Sequence, residues 1–82
     1  MGDVTIIIVS FNTRAELEAC LASISAAPPA AAHRIIVVDN ASSDGSPDAV
    51  RRNWPAVALI ASGRNLGFAA ANNMGIREAA SE

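Results

Sequence analysis

The sequence holds one cysteine, one histidine and only 17% charged residues, and each scarcity closes off a class of function. A lone Cys20 cannot form an internal disulfide, and its helical spacing among apolar neighbours predicts a core-filling residue rather than a nucleophile. His33, at the start of a strand, cannot assemble a Ser, His and Asp set and reads as a solvated turn residue. The carboxylates Asp39 and Asp44 lack the partner expected of a hydrolase pair, so no catalytic residue is assigned. The basic residues Arg14, Arg34, Arg51, Arg52, Arg64 and Arg77 are scattered along a chain of net charge -2, which leaves no stripe for a nucleic-acid backbone. The apolar run from Val4 to Val9 is far short of the ~20 residues that span a bilayer, and no cationic segment precedes it, so no membrane insertion is expected. Ile6 stands where a myristoylation signal needs Ser or Thr, and Asn40-Ala41-Ser42 matters as a sequon only in a secreted protein. Dinucleotide and ATPase fingerprints are missing as well: no glycine-rich turn follows the first apolar run, and no Gly-Lys-Ser/Thr loop is present.

What remains is a regular alternation. Eighty-two residues make one small domain at most, burying only about 60–65% of the surface of the unfolded chain. Val4 to Val9 reads as a buried strand, followed by Ser10, Phe11 and Asn12. Thr13 then stands three residues ahead of Glu16, the spacing of a capping box, so a helix is expected from about Thr13. Leu17, Cys20, Leu21 and Ile24 would form its apolar face, with Pro28-Pro29 barring continuation and Ala26 to Ala32 a soft connection. Ile35 to Val38 is a second strand. Ser46-Pro47-Asp48 supplies an N-cap, a first-turn proline and an acid suited to the helix dipole. Val50 and Trp54 share the inner side of this short helix before Pro55, and Trp54 reads as packing rather than as a stacking platform. Val57 to Ile60 is a third strand, and a helix from about Phe68 would turn Phe68, Asn72, Gly75, Ile76 and Ala79 inward. The fold class is α/β: a Rossmann-like half in which three parallel strands alternate with three helices through right-handed crossovers.

The richest stretch is Ile35 to Ser46, where a β-branched run ends in carboxylates, amide and hydroxyls. In a parallel sheet the loops Ser10 to Thr13, Asp39 to Ser46 and Ser62 to Gly67 gather at one edge, where such folds hold ligands. Backbone amides at helix starts favour anionic groups, while Asp39, Asn40 and Asp44 can accept from or donate to base imides and ribose hydroxyls, so a nucleotide suits the edge. A structural role competes for the same residues: Asp44 turns the chain at Asp-Gly, and Ser43 or Ser46 caps the helix.

At these residues VTIIIVSFN, VVDNASSDGS and GRNLGFAAANNMG resemble, in order and spacing, the three opening motifs of family 2 glycosyltransferases of the GT-A fold, and the likeness covers nearly the whole chain. The Asp-Asn-Ala-Ser form and the Gly-Phe-Ala-Ala-Ala-Asn-Asn run look most like the rhamnosyltransferase branch, whose members take rhamnose from a dTDP-sugar. The resemblance implies that Ser10 and Asn12 line a nucleoside pocket, that Asp39 supports the loop, and that Asn40 faces the pyrimidine edge. Many family members have Asp where Asn40 stands, a departure compatible with thymidine. Arg64, Asn65, Gly67 and Asn73 would lie near the diphosphate and sugar, although Arg64 also reads as an ordinary surface charge and Asn72 and Asn73 as helix residues with local hydrogen bonds. The family's Asp-X-Asp motif, general base and acceptor site fall outside this sequence. A divalent metal, Mg or Mn, therefore belongs to a complete parent enzyme, with none expected on this segment.

The expectation is thus a truncated donor-binding segment, residues 1–82, of a cytoplasmic inverting glycosyltransferase in cell-envelope polysaccharide synthesis, with a peripheral place at the inner membrane face open to the parent protein. Its partner would be a nucleotide-sugar donor of dTDP or UDP type. On its own the segment should not transfer sugar. Two rivals stand beside it: a non-catalytic interaction or regulatory module, and a flavodoxin-like or receiver-like domain that lacks its remaining strands. With no fourth strand beside the first, the Thr5 to Val9 edge would be unpaired and apolar, so self-association through it is expected.

Overall fold

The computed structural model describes residues 4–80. β1 (Val4–Ser10), α1 (Arg14–Ala26), β2 (His33–Asp39), α2 (Ser46–Asn53), β3 (Ala58–Ala61) and α3 (Phe68–Ala80) follow one another in strict alternation. The strands form a parallel sheet in the order β1-β2-β3, so each crossover steps one strand in the same direction. Register aligns Ser10 with Asp39 and Asp39 with Ala61, which brings all three strand ends to one level.

The central strand explains the continuous apolar runs: Ile36, Val37 and Val38 have no exposed surface, because helices cover both faces of the sheet. On one face Leu17 and Leu21 of α1 and Val50 of α2 close over Val37, with Ile8, Ile35, Trp54 and Leu59 packed around them. On the other face Ala71 of α3 closes over Ile36 and Val38, with Ile7, Val9, Ile60 and Met74 as neighbours. Trp54 ends α2 as a packing residue, as its position suggests.

Three local expectations are corrected. Cys20 is exposed, because α1 reaches the core only through Leu17 and Leu21, a strip too narrow to include it. The inner face of α3 consists of Ala71, Gly75, Met74 and Ala79, whereas Phe68 and Ile76 are 72% and 48% exposed. The helix presents its smallest residues because it lies close to the sheet: a Cβ on Gly75 would stand 2.6 Å from Ile7 Cγ2 and 3.3 Å from Val38 Cγ2. The third correction concerns capping. Thr13 precedes α1 but makes no side-chain cap, and Gly45 in the left-handed region, not Ser46, precedes α2.

The missing caps are supplied by Asp44. Its Oδ2 accepts the first amide of α1, from Arg14, at 2.9 Å, and its Oδ1 accepts from the Ser46 amide at 3.0 Å and from the Ser46 hydroxyl. One carboxylate thus satisfies orphan donors at the starts of both α1 and α2, reaching the first from thirty residues further along the chain. The Ser46 hydroxyl, followed by the Arg14 and Ser46 amides, holds the Asp44 carboxyl below its usual range, with partial burial opposing. A depressed folded-state pKa contributes stability above the unfolded value of 3.8 and loses it as pH falls through the folded value. The urea midpoint should therefore drop on acidification below about pH 4, and Asp44→Asn, which keeps one of the two oxygens, should lower the neutral midpoint and flatten that acid dependence. An unchanged acid slope in the variant would remove Asp44 as its source.

Candidate functional site at the strand-end edge

The three polar loops meet at the carboxyl ends of the strands and are tied to one another by hydrogen bonds. Ser10, 2% exposed, anchors the first: its carbonyl accepts the Asn40 amide at 2.8 Å, and its hydroxyl lies 3.2 Å from that of Thr13. Asn12 adopts the left-handed conformation at φ 51, which an asparagine tolerates, and this turns it toward the second loop. Its amide donates to Ser42 Oγ at 2.9 Å, and its Oδ1 accepts from the Ser43 amide at 2.8 Å. The β1–α1 and β2–α2 loops are thereby clipped together in both directions.

Asp39 ends the central strand, 1% exposed. Its Oδ2 accepts the Ser42 amide at 2.8 Å, forming the turn through Ala41, a non-glycine residue held at φ 69. Its Oδ1 is buried and has no hydrogen-bond partner. A buried carboxylate oxygen without a donor costs free energy that a later partner can recover, so this atom is the most pronounced chemical vacancy of the edge.

The next residue is also buried but fully engaged. Asn40 Nδ2 donates to Asn65 Oδ1 at 3.0 Å and to the Gly67 carbonyl at 3.3 Å, while its Oδ1 accepts the Leu66 amide at 2.7 Å. Asn40, expected to face a pyrimidine edge, has 3% of its surface exposed and spends its amide on the β3–α3 loop. Ser62 hydroxyl donates to the Arg64 carbonyl at 2.6 Å and lies 3.4 Å from Asn40 Oδ1, and the Ser62 amide donates to the Asp39 carbonyl. Gly67, at φ 84, precedes α3, and its amide donates to Asn65 Oδ1 at 2.8 Å.

The expected site residues thus divide. Ser10, Asp39 and Asn40 are buried within the edge, whereas Asn12, Arg64, Asn65 and Gly67 are exposed on it. Asn73 is exposed on the second turn of α3, beyond the interlocked loops. Residue-type reasoning passed over Ser42 and Ser62 and read Ser43 only as a possible cap, yet the hydroxyl of Ser42 and the amides of Ser43 and Ser62 carry loop-to-loop bonds; small polar residues just after each strand were the available signal. Phe11 and Phe68, 45% and 72% exposed, flank the edge as apolar surface.

The edge is an open shelf rather than a cavity. Two concavities open at the strand-start side instead: one of about 430 Å³ between Thr5, His33 and Ala79, and one of about 340 Å³ lined by Ile24, Pro28, Trp54 and Pro55. Both lack the convergent polar loops and the orphaned acceptor of the strand ends. No three His, Cys, Asp or Glu side chains gather into a metal-binding group among the described residues, and no helix there is long and apolar enough to cross a membrane.

Comparison with known proteins gives one consistent answer. Residues 5–82 match the model of a family described as Glycosyl transferase family 2. Over 73 residues the chain is 34% identical to the N-acetylglucosaminyl-diphospho-decaprenol L-rhamnosyltransferase of Mycobacterium tuberculosis, in strains CDC 1551 / Oshkosh and ATCC 25618 / H37Rv, covering 89% of this chain and 24% of each relative. A mannosyltransferase from Pyrobaculum calidifontis, solved in complex with GDP-Man and Mn2+, superposes with a TM-score of 0.79 at 34% identity, over 92% of this chain and 24% of that one. The chain spans about a quarter of the length of these relatives.

Proposed function

Since this chain belongs to glycosyl transferase family 2, we propose that its strand-end edge cradles the nucleotide of a sugar donor in an inverting transfer reaction, with a dTDP-sugar, rhamnose in particular, as the donor. One observation carries the reading: the buried, unpartnered Asp39 Oδ1 at the meeting point of three loops. An imide N–H of thymine, uracil or guanine is the complementary donor. Access to it requires the turn over Asp39 to shift, and Ala41, strained at φ 69, is the residue most readily released there. Exposed Arg64 and the amino-terminal end of α3 lie on the same shelf and favour the diphosphate.

Support for the donor class comes from relatives, one named for rhamnosyl transfer and one holding GDP-Man. In the whole enzyme a divalent cation, Mg or Mn, would supply charge neutralisation at the departing diphosphate. Among the described residues no three His, Cys, Asp or Glu gather to hold one, and this reading assigns its ligands to other residues of a parent protein. The acceptor hydroxyl, on a polysaccharide or glycolipid of the cell envelope, and the base that deprotonates it belong there too. The reading places the enzyme in the cytoplasm, facing a membrane-linked acceptor.

Calorimetric titration of dTDP, UDP, GDP and NAD into the chain tests it. Binding of dTDP ahead of UDP and GDP, with no heat from NAD, is the expected order; equal affinity for NAD would end the donor-nucleotide reading. A second reading, an interaction module without chemistry, is favoured by β1, which pairs on one side only among the described residues, and by exposed Phe68 and Ile76. Self-association through the β1 edge would follow from it, and a monomer by light scattering across micromolar concentrations would count against it.

A further inference from the structure

We propose that Asn40 is a positioning residue that fixes the β3–α3 loop and the start of α3 against the nucleoside loop, and that it does so as an obligatory amide paired with the oxygen of Asn65. The inference rests on the donor-nucleotide reading for its consequence, though not for its geometry.

The orientation of both side chains is dictated by the backbone. The atom of Asn40 facing the Leu66 amide at 2.7 Å must be the oxygen, and the atom facing the Gly67 carbonyl at 3.3 Å must be the nitrogen. Likewise the atom of Asn65 facing the Gly67 amide at 2.8 Å must be an oxygen, so the Asn40 atom 3.0 Å from it must be a donor. No amide flip satisfies all four contacts. Gly67 is the junction that matters, because its carbonyl also accepts the first-turn amide of Ala71 at 3.1 Å. Asn40 therefore reaches from the end of β2 to the residue that opens α3, coupling the base-side loop to the end of the helix that favours the diphosphate.

An asymmetry follows. Aspartate at position 40 keeps an oxygen for Leu66 but turns its second oxygen on Asn65 Oδ1 and the Gly67 carbonyl, setting acceptor against acceptor. If Asn65 flips to donate, its NH2 meets the Gly67 amide, donor against donor, so the conflict moves without being relieved. Aspartate at position 65 is different, because Asn65 uses only its oxygen in the loop. The loop thus demands an amide at 40 and tolerates a carboxylate at 65, although both changes add one negative charge to the same shelf.

Amide exchange in the ligand-free chain and nucleotide titration together test this. Asn40→Asp should speed exchange at Leu66 and Gly67 by about tenfold or more, with the amides of β2 unchanged, while Asn65→Asp should leave both protected. In titrations, Asn40→Asp should weaken dTDP by about tenfold and leave thymidine within about twofold, since the displaced element is the diphosphate side. Unaltered exchange in Asn40→Asp, or equal deprotection in both variants, would overturn the clamp. Equal losses for thymidine and dTDP would also overturn it, making Asn40 a reader of the base. Failure of the unsubstituted chain to bind any nucleotide would instead strike the donor reading, with the exchange result still deciding the clamp. If Asn40→Asp does not fold, Asn65→Ala serves: it removes the same acceptor from an exposed position and should deprotect Gly67.

Discussion

Asp39→Asn should sharply weaken the affinity of the chain for imide bases while leaving the fold in place. Asp39→Asn keeps an oxygen for the Ser42 amide, now accepted by Oδ2 at 2.8 Å, so the turn at the end of β2 survives. The second oxygen, buried and without a partner, becomes an NH2 group. An imide N–H of thymine or uracil then meets a donor instead of an acceptor, and the loss is that of a hydrogen bond to a charged group plus the desolvation of two unmatched donors, about 2–4 kcal/mol or some 30- to 1000-fold in dissociation constant. Cytosine presents an acceptor at the equivalent ring position, so CDP should gain relative to dTDP and UDP in the variant. Titrations of these nucleotides into both proteins, with circular dichroism to show equal folding, measure the effect. Undiminished dTDP binding by folded Asp39→Asn would mean that the orphaned oxygen is not what the base meets.

Gly75 should be the residue of α3 least able to accept a side chain. At an ordinary exposed helix position, Gly→Ala gains up to about 1 kcal/mol of helix propensity. Here the new Cβ would stand 2.6 Å from Ile7 Cγ2, a methyl of a β-branched side chain in the sheet with little room to turn away. Overpacking of this kind costs about 1–3 kcal/mol, so the clash outweighs the propensity and Gly75→Ala should be destabilising. Gly75→Val adds two more methyl groups and should cost above about 3 kcal/mol. For a chain of this size, with roughly 4–12 kcal/mol in total, that is enough to lift α3 from β1 and β2. Urea unfolding gives the sign directly, and a raised midpoint for Gly75→Ala would show that α3 packs less closely than the structure has it.

The strands were readable because their burial is two-sided. Ile35 to Val38 and Val4 to Val9 are near-continuous apolar runs, the pattern of a parallel sheet covered by helices on both faces, and the alternation with helices then fixed one edge for all three loops. The helix faces were less readable. Periodicity gives a wide apolar arc, but contact selects part of it: α1 uses Leu17 and Leu21 and leaves Cys20 outside, and α3 turns Gly75 and Ala71 to the sheet while Phe68 points away. The capping-box signal at Thr13 failed for a related reason, while Pro47 and Asp48 do open α2 as expected. The Thr13 and Glu16 spacing is a local preference, whereas Asp44 brings a charged acceptor from another loop and takes the same helix start. At the edge, residue types announced a polar site, but sequence alone does not separate side chains that face a ligand from those that face each other. Asn40 and Asn12 both bond neighbouring loops, as their partners Leu66 and Ser43 show.

The decisive observation is where a nucleotide touches the chain. In an amide chemical-shift titration with dTDP, perturbations should cluster at 10–13, 39–46 and 62–67, the three loops joined at the strand ends, with the β2 amide of Asp39 and its neighbours among the largest. Shifts confined to the opposite edge, at Ile24, Ser25, Trp54 and Ala56, would place the ligand in the apolar concavity there and contradict a donor cradle at the strand ends.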